Sequence, residues 1–152
     1  MEPHETHATV EDHAARDALA AALTATSAMA GSLECATAGR TTTRALRRLL
    51  PGTTVALFLR REPHRLDLVD AAGPHARILQ SAWQAGIAVH GQRLRARALP
   101  PLLGRTHLVV PLRARRRLIG VLAVASTSGT ERERRIARTF ARRIASPLAR
   151  LA

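Results

Sequence analysis

Alternation of apolar and polar positions is clearest from His107 to Ser126, HLVVPLRARRRLIGVLAVAS. Leu108, Val110 and Leu112 fall on one side of a first run, with Val109 and Pro111 on the other. Ile119, Val121 and Ala123 then alternate with Leu118, Gly120, Leu122 and Val124. A period of two with branched residues predicts two strands, and a basic tip of three or four residues makes them an antiparallel hairpin. Both sides of both strands are largely apolar, which predicts a pair near the middle of a sheet covered on both faces. A second hairpin is predicted upstream. TTVALFLR (53–60) alternates Val55, Leu57 and Leu59 against Ala56 and Phe58, a turn follows at 61–64, and RLDLVDAAG returns with Leu66 and Leu68 on one face. Asp67 and Asp70 on that return read as solvated charges at a sheet edge.

Helical spacing occupies the rest. Residues 14–33 are Ala-rich, with an imperfect stripe of Leu19, Leu23, Ala30 and Leu33. Cys35 follows in a stretch of small residues and reads as a partly buried, unreactive thiol. Thr41, Thr42 or Thr43 is expected to cap a short helix carrying Leu46, Leu49 and Leu50, with Arg44, Arg47 and Arg48 on its wet side and a stop at Pro51-Gly52. HARILQSAWQAG (75–86) predicts another helix that turns Ile78, Leu79, Ala82 and Trp83 to the sheet and closes at Gly86. Trp83 is expected in the core, with a cavity wall as its alternative. Beyond it a short strand at Ile87–His90 leads into an irregular cover through Arg93, Arg95, Arg97 and Pro100-Pro101, where a pocket can form. The last helix starts on Thr130 with Glu133 completing a capping box, repeats Ile136, Phe140, Ile144 and Leu148 every four residues, and is expected to bend or break at Pro147. Residues 1–12 read as a flexible tail, leaving 13–152 as one domain.

Composition narrows the chemistry. The formal net charge is +13, and all 24 basic side chains other than histidine are Arg. The absence of Lys and Asn points to a GC-rich coding bias, but the positive field is physical whatever its origin and attracts polyanions. One Trp, two Phe and no Tyr leave few stacking residues for single-stranded nucleic acid. A single cysteine excludes an internal disulfide, a Cys-rich metal site and a CxxC redox pair. No apolar run reaches membrane-spanning length, and the acidic, polar N-terminus is unlike a signal peptide, so a cytoplasmic location is expected. HExxH, GxxxxGK and GxSxG are all missing, which argues against the corresponding enzymes.

In the order helix, helix, hairpin, helix with a variable cover, hairpin, terminal helix, the chain resembles a GAF domain. The resemblance spans roughly residues 14–150. It rests on TTTRALRRLLPGTTVALFLRREPHRLDLVDAAG, on AWQAGIAVHG, and most specifically on HLVVPLRARRRLIGVLAVAS followed by TERERRIARTFARRIASPLARLA. It implies an α+β fold with a central antiparallel sheet of five or six strands, helices on one face and a loop-covered ligand pocket on the other. Specialised members do not fit. Methionine sulfoxide reductases of this fold need pocket cysteines, bilin binders commonly attach chromophore through cysteine, and residues 73–112 contain none. The Asn, Lys, Phe, Asp, Glu set of cyclic-nucleotide binders cannot be formed without Asn or Lys. Haem-binding relatives place a histidine in the segment leading into the Val-Pro-Leu strand, where RALPPLLGRTH has Leu99 before Pro100-Pro101, with His90 and His107 only flanking it.

The expectation is therefore a non-enzymatic sensory or regulatory domain without a resident cofactor or metal. It would form a homodimer through its terminal helices, with Phe140 and Ile144 at the seam unless they belong to the core, and would serve a protein partner in a signalling pathway. Phe58, Trp83, His90, Arg93, Arg95 and His107 are the candidate pocket residues, and arginine there favours a small anionic ligand. The alternative is nucleic-acid or polyanion binding by Arg113, Arg115, Arg116 and Arg117 at the hairpin tip, joined by the Arg93, Arg95, Arg97 run if that loop folds toward it.

Overall fold

A computed structural model describes residues 13, 16–21, 35–96, 99 and 101–150; the tail at 1–12 and most of the 14–33 stripe lie outside the described residues. Residues 16–21 are helical, with Ala18 fully buried. After them come α1 (Cys35–Leu49), β1 (Thr54–Glu62), β2 (Arg65–Ala72), α2 (Ala76–Gly86), β3 (Ile87–His90), β4 (Arg93–Ala96), β5 (Thr106–Ala114), β6 (Arg117–Ser126) and α3 (Glu131–Ala149).

The six strands do not form one sheet. Four make an antiparallel sheet in the order β2-β1-β6-β5, and β3 and β4 pair separately as a small hairpin. The central sheet thus has four strands, not five or six. The β5–β6 hairpin is also off-centre: β1 and β6 are the inner strands, and β5 is an edge. Pro111 gives the reason, because a residue without an N–H is tolerated where one side of the strand has no partner. The tip is tighter than expected. Ala114 pairs with Arg117 across only Arg115 and Arg116, both with positive φ (51° and 65°), which is a type I′ turn.

Alternation sends the strands' side chains to two cores. Val55, Leu57, Leu59, Val110, Leu112, Leu122 and Val124 meet α1 and α3 on one face. Ala56, Phe58, Val121, Ala123 and Ala125 meet Leu79 and Trp83 of α2, with Ile87, on the other. A helix therefore lies on each face, and the second is roofed by α2 and the β3–β4 hairpin as well as by loop. Gly120 sits where inner strands approach closely; a Cβ there would overlap the Phe58 carbonyl oxygen.

Local expectations divide in the same way. The capping box on α3 is formed: Thr130 Oγ1 accepts from Glu133 N, and the Glu133 carboxylate accepts from Thr130 N. Pro147 does not break the helix, because it falls in the last turn, where few downstream bonds depend on it. The threonines expected to cap α1 lie inside it. Thr41 and Thr42 donate to the carbonyls of Thr37 and Ala38, a bond that satisfies a hydroxyl within a helix. Thr43 donates to Asp70 at 2.5 Å, so Asp70 is a half-buried tie between α1 and β2, not a solvated edge charge. Ile78 faces out at 52% exposure. Phe140 and Ile144 are fully buried in the chain's own core, which removes both from any subunit seam.

Candidate functional site

The α2 face leaves a cleft of about 320 Å³ between Phe58 of β1, the β1–β2 turn and start of β2 (His64 to Leu66), the end of α2 (Trp83, Gln84) and β3 (Ile87 to Val89). It arises from mismatched lengths. β1 and β2 continue to the Pro63-His64 turn, while α2 ends at Gly86 and β3 spans four residues, too short to cover the sheet to its end. Alternation along β3 turns Ile87 and Val89 inward and leaves Ala88 exposed.

Of the expected pocket residues, Phe58 and Trp83 line this cleft and are 2% and 0% exposed, so each serves core and wall at once. His107 stands behind the wall. Its Nδ1 accepts a 3.0 Å hydrogen bond from Trp83 Nε1, and the rings meet edge-on with centroids 6.0 Å apart. That bond fixes the indole and commits Nδ1, so a metal cannot use that nitrogen while it persists. His90 is at the rim, where its ring stacks on His64 with centroids 5.6 Å apart. Arg93 and Arg95 lie exposed on β4 and are not among the lining residues.

The basic groups that do border the cleft are His64 and Arg65. Arg65 is braced from its own strand: Nε and Nη2 donate to the two carboxylate oxygens of Asp67 at 2.8 and 3.1 Å, and Glu62 lies 3.8 Å from Nη1. These bonds and charges raise the guanidinium's already high pKa. His64, Leu66 and Gln84 were not legible as site residues, because a turn histidine and an exposed helix glutamine carry no pattern of their own. Among the described residues no carboxylate lines the cleft.

A second hollow, of about 370 Å³, lies between Pro51-Gly52 and the start of α3. Its acid is already occupied, since Glu133 accepts from the hydroxyls of Ser126, Ser128 and Thr130. Burial pushes the Glu133 pKa up, but these bonds together outweigh it and hold the carboxyl below its ordinary value. Among the described residues no group of three or more His, Cys, Asp or Glu is placed to hold a metal, and no helix is long and apolar enough to cross a membrane.

The tip arginines fall as one group. Arg113, Arg115, Arg116 and Arg117 are all exposed at the β5–β6 turn. Gln92, in the β3–β4 turn, accepts from Leu118 N through its side chain at 2.8 Å and from Arg113 Nη1 through its backbone carbonyl at 2.9 Å. The first arginine run is thereby anchored beside the second; Arg97 lies outside the described residues.

Several solved structures share this architecture. The GAF domain of a phosphoenolpyruvate-protein phosphotransferase from Coxiella burnetii superposes with a TM-score of 0.60 at 17% identity, over 90% of this chain and 95% of that one. A GAF domain/HD domain protein from Geobacter sulfurreducens gives 0.59 at 16% identity, over 81% and 97%. The GAF domain of an Acinetobacter phosphoenolpyruvate-protein phosphotransferase gives 0.55 at 13%, over 87% and 92%. At these identities the likeness is one of fold. No curated protein matches the chain. The family model for the GAF domain, however, matches the sequence itself over residues 39–150, from the middle of α1 to the end of α3. This chain belongs to the GAF domain family.

Proposed function

We propose that this GAF domain is a non-enzymatic sensory or regulatory module whose α2-face cleft takes a small molecule with an apolar ring and one anionic group. The observation that carries the reading is the cleft itself: about 320 Å³, walled by Phe58, Trp83, Ile87 and Val89, bordered by His64 and Arg65, and with no carboxylate lining it among the described residues. That volume falls within the usual range for small-molecule sites, and an apolar wall with a few polar groups at its edge is their common composition. The apolar wall accepts a ring; Arg65 is already paired with Asp67, so the preference for an anion rests on the net charge of +13 and on a lining that has no carboxylate among the described residues.

GAF domains generally sense or regulate, and the Acinetobacter and Coxiella neighbours are named as parts of phosphotransferases. Both facts support a module that reports ligand occupancy to a protein partner in the cytoplasm. Native mass spectrometry of the protein purified at moderate salt from a host of its own type tests the reading, with Gln84→Trp as the blocked variant. Gln84 is exposed and lines the cleft from the end of α2, so a large side chain there narrows the space without replacing a core residue. A stoichiometric small-molecule adduct that disappears in Gln84→Trp is expected. An adduct retained by that variant, or no adduct and no thermal shift with aromatic carboxylates and phosphates, overturns the reading.

A further inference from the structure

We propose that the β5–β6 tip and the adjoining β3–β4 hairpin form a docking surface for the phosphate backbone of duplex nucleic acid. This surface is separate from the cleft and does not depend on the sensory reading. Through Gln92 the fold fastens one turn to the other, so that Arg93 and Arg95 share an end of the molecule with Arg113, Arg115, Arg116 and Arg117. All six are exposed, and none is within ion-pair distance of a carboxylate among the described residues, whose ion pairs engage Arg65, Arg134 and Arg135. Six unneutralised guanidinium groups on one surface form an electrostatic footprint suited to phosphates, which arginine can engage with two donors at once.

The turn carries independent information. A type I′ loop needs positive φ at both central residues and is normally built from Asn-Gly or Gly-Gly. Here both positions are Arg, each held in the left-handed region against its own Cβ. Coding bias does not explain this choice. The chain has nine glycines, and it places one of them, Gly91 (φ 59°), at the demanding position of the neighbouring turn. Charge stands at the tip where glycine would relieve the backbone, and strain of this kind concentrates at functional sites.

The surroundings favour duplex nucleic acid over other polyanions. The large apolar side chains exposed among the described residues are Ile78 and Leu103, neither in the two turns. Among the described residues the surface therefore lacks the apolar wedge that enters a membrane interface. Its aromatic rings are the single His64–His90 pair beside the β3–β4 turn, too few for the platform on which successive bases of a single strand stack. A narrow two-stranded ribbon ending in cations can enter a major groove or lie along its phosphates.

Fluorescence anisotropy with a short mixed-sequence DNA duplex, titrated from low to physiological salt, tests the proposal. Arg115→Asn/Arg116→Gly removes two charges and installs the residues the turn prefers, so its thermal midpoint should hold or rise. Its affinity should fall about tenfold or more, and the slope of log K against log salt should shrink by about two. Arg138→Gln/Arg142→Gln, an equal charge change on exposed positions of α3, should leave that slope unchanged. Equal losses in the two variants, the absence of salt-dependent binding, or tighter binding to single strands or to anionic vesicles would each overturn it.

Discussion

The two faces of the sheet are made from alternate residues of the same strands, yet they are closed in different ways. On one face α1 and α3, of 15 and 19 residues, span the sheet and bury a continuous apolar layer in which Phe140, Ile144 and Leu148 are fully inaccessible. On the other face an 11-residue helix and two four-residue strands cover the same sheet and leave a cleft beside Phe58 and Trp83. The strands fill both faces with similar side chains; the length of the cover decides which one stays open. Structural and candidate functional roles separate along that line.

A pair of truncations distinguishes the two faces most directly. Phe140→Ala should cost ~3–5 kcal/mol in urea unfolding, since the helical face cannot collapse into the space left. Phe58→Ala, beside a cleft that already exists, should cost less, about 2–3 kcal/mol. The opposite ranking would show that the faces are packed alike.

A pair of glycines sharpens the same contrast. A Cβ on Gly39 of α1 would overlap Val69 Cγ1, a stiff branched side chain, and lie 3.3 Å from Asp70 Cβ. Gly39→Ala should therefore destabilise by ~1–3 kcal/mol, measured as a shift in the denaturation midpoint. On the cleft side, a Cβ on Gly86 meets only the far end of Leu99, which can rotate away. Gly86→Ala should change stability by less than about 1 kcal/mol.

The smallest expected effects lie at the start of α3. Thr130→Ala should cost about 1 kcal/mol by removing the N-cap. Glu133 has its native pKa depressed, so its contribution is present above the ordinary carboxylate range and is lost as pH falls through the lowered native value. Glu133→Gln should flatten the acid limb of stability between about pH 5 and pH 2 relative to the parent protein, as followed by circular dichroism.

Legibility followed the range of the forces involved. Strands with apolar residues on every second position, such as Val55 to Leu59 and Val121 to Ala125, could be read because each carries its pattern within a few residues. The capping box at Thr130 and Glu133 is equally local. Sheet order was less accessible, since apolarity on both faces does not distinguish an inner strand from an edge; the signal for the edge was Pro111 alone. β4 was missed because RLRA has arginine at alternate positions and too little apolar surface to stand out, and its pairing with β3 comes from tertiary placement. The threonines of α1 resemble a cap in sequence, and only the carbonyls of the preceding turn show that the helix began earlier. In the candidate site, Phe58 and Trp83 were legible as large apolar residues on predicted elements. His64 and Gln92 were not, because their roles depend on residues 26 positions away in the chain: His90 for the first and Leu118 for the second.

The hydrogen bond between Trp83 and His107 has an optical consequence. The chain contains one tryptophan and no tyrosine, so nearly all its near-ultraviolet emission originates from a single indole in the cleft wall. A molecule entering the cleft changes the polarity around that ring. The protein thus carries an intrinsic chromophore at the place where occupancy is to be read, and emission wavelength and lifetime can follow the site without an attached dye.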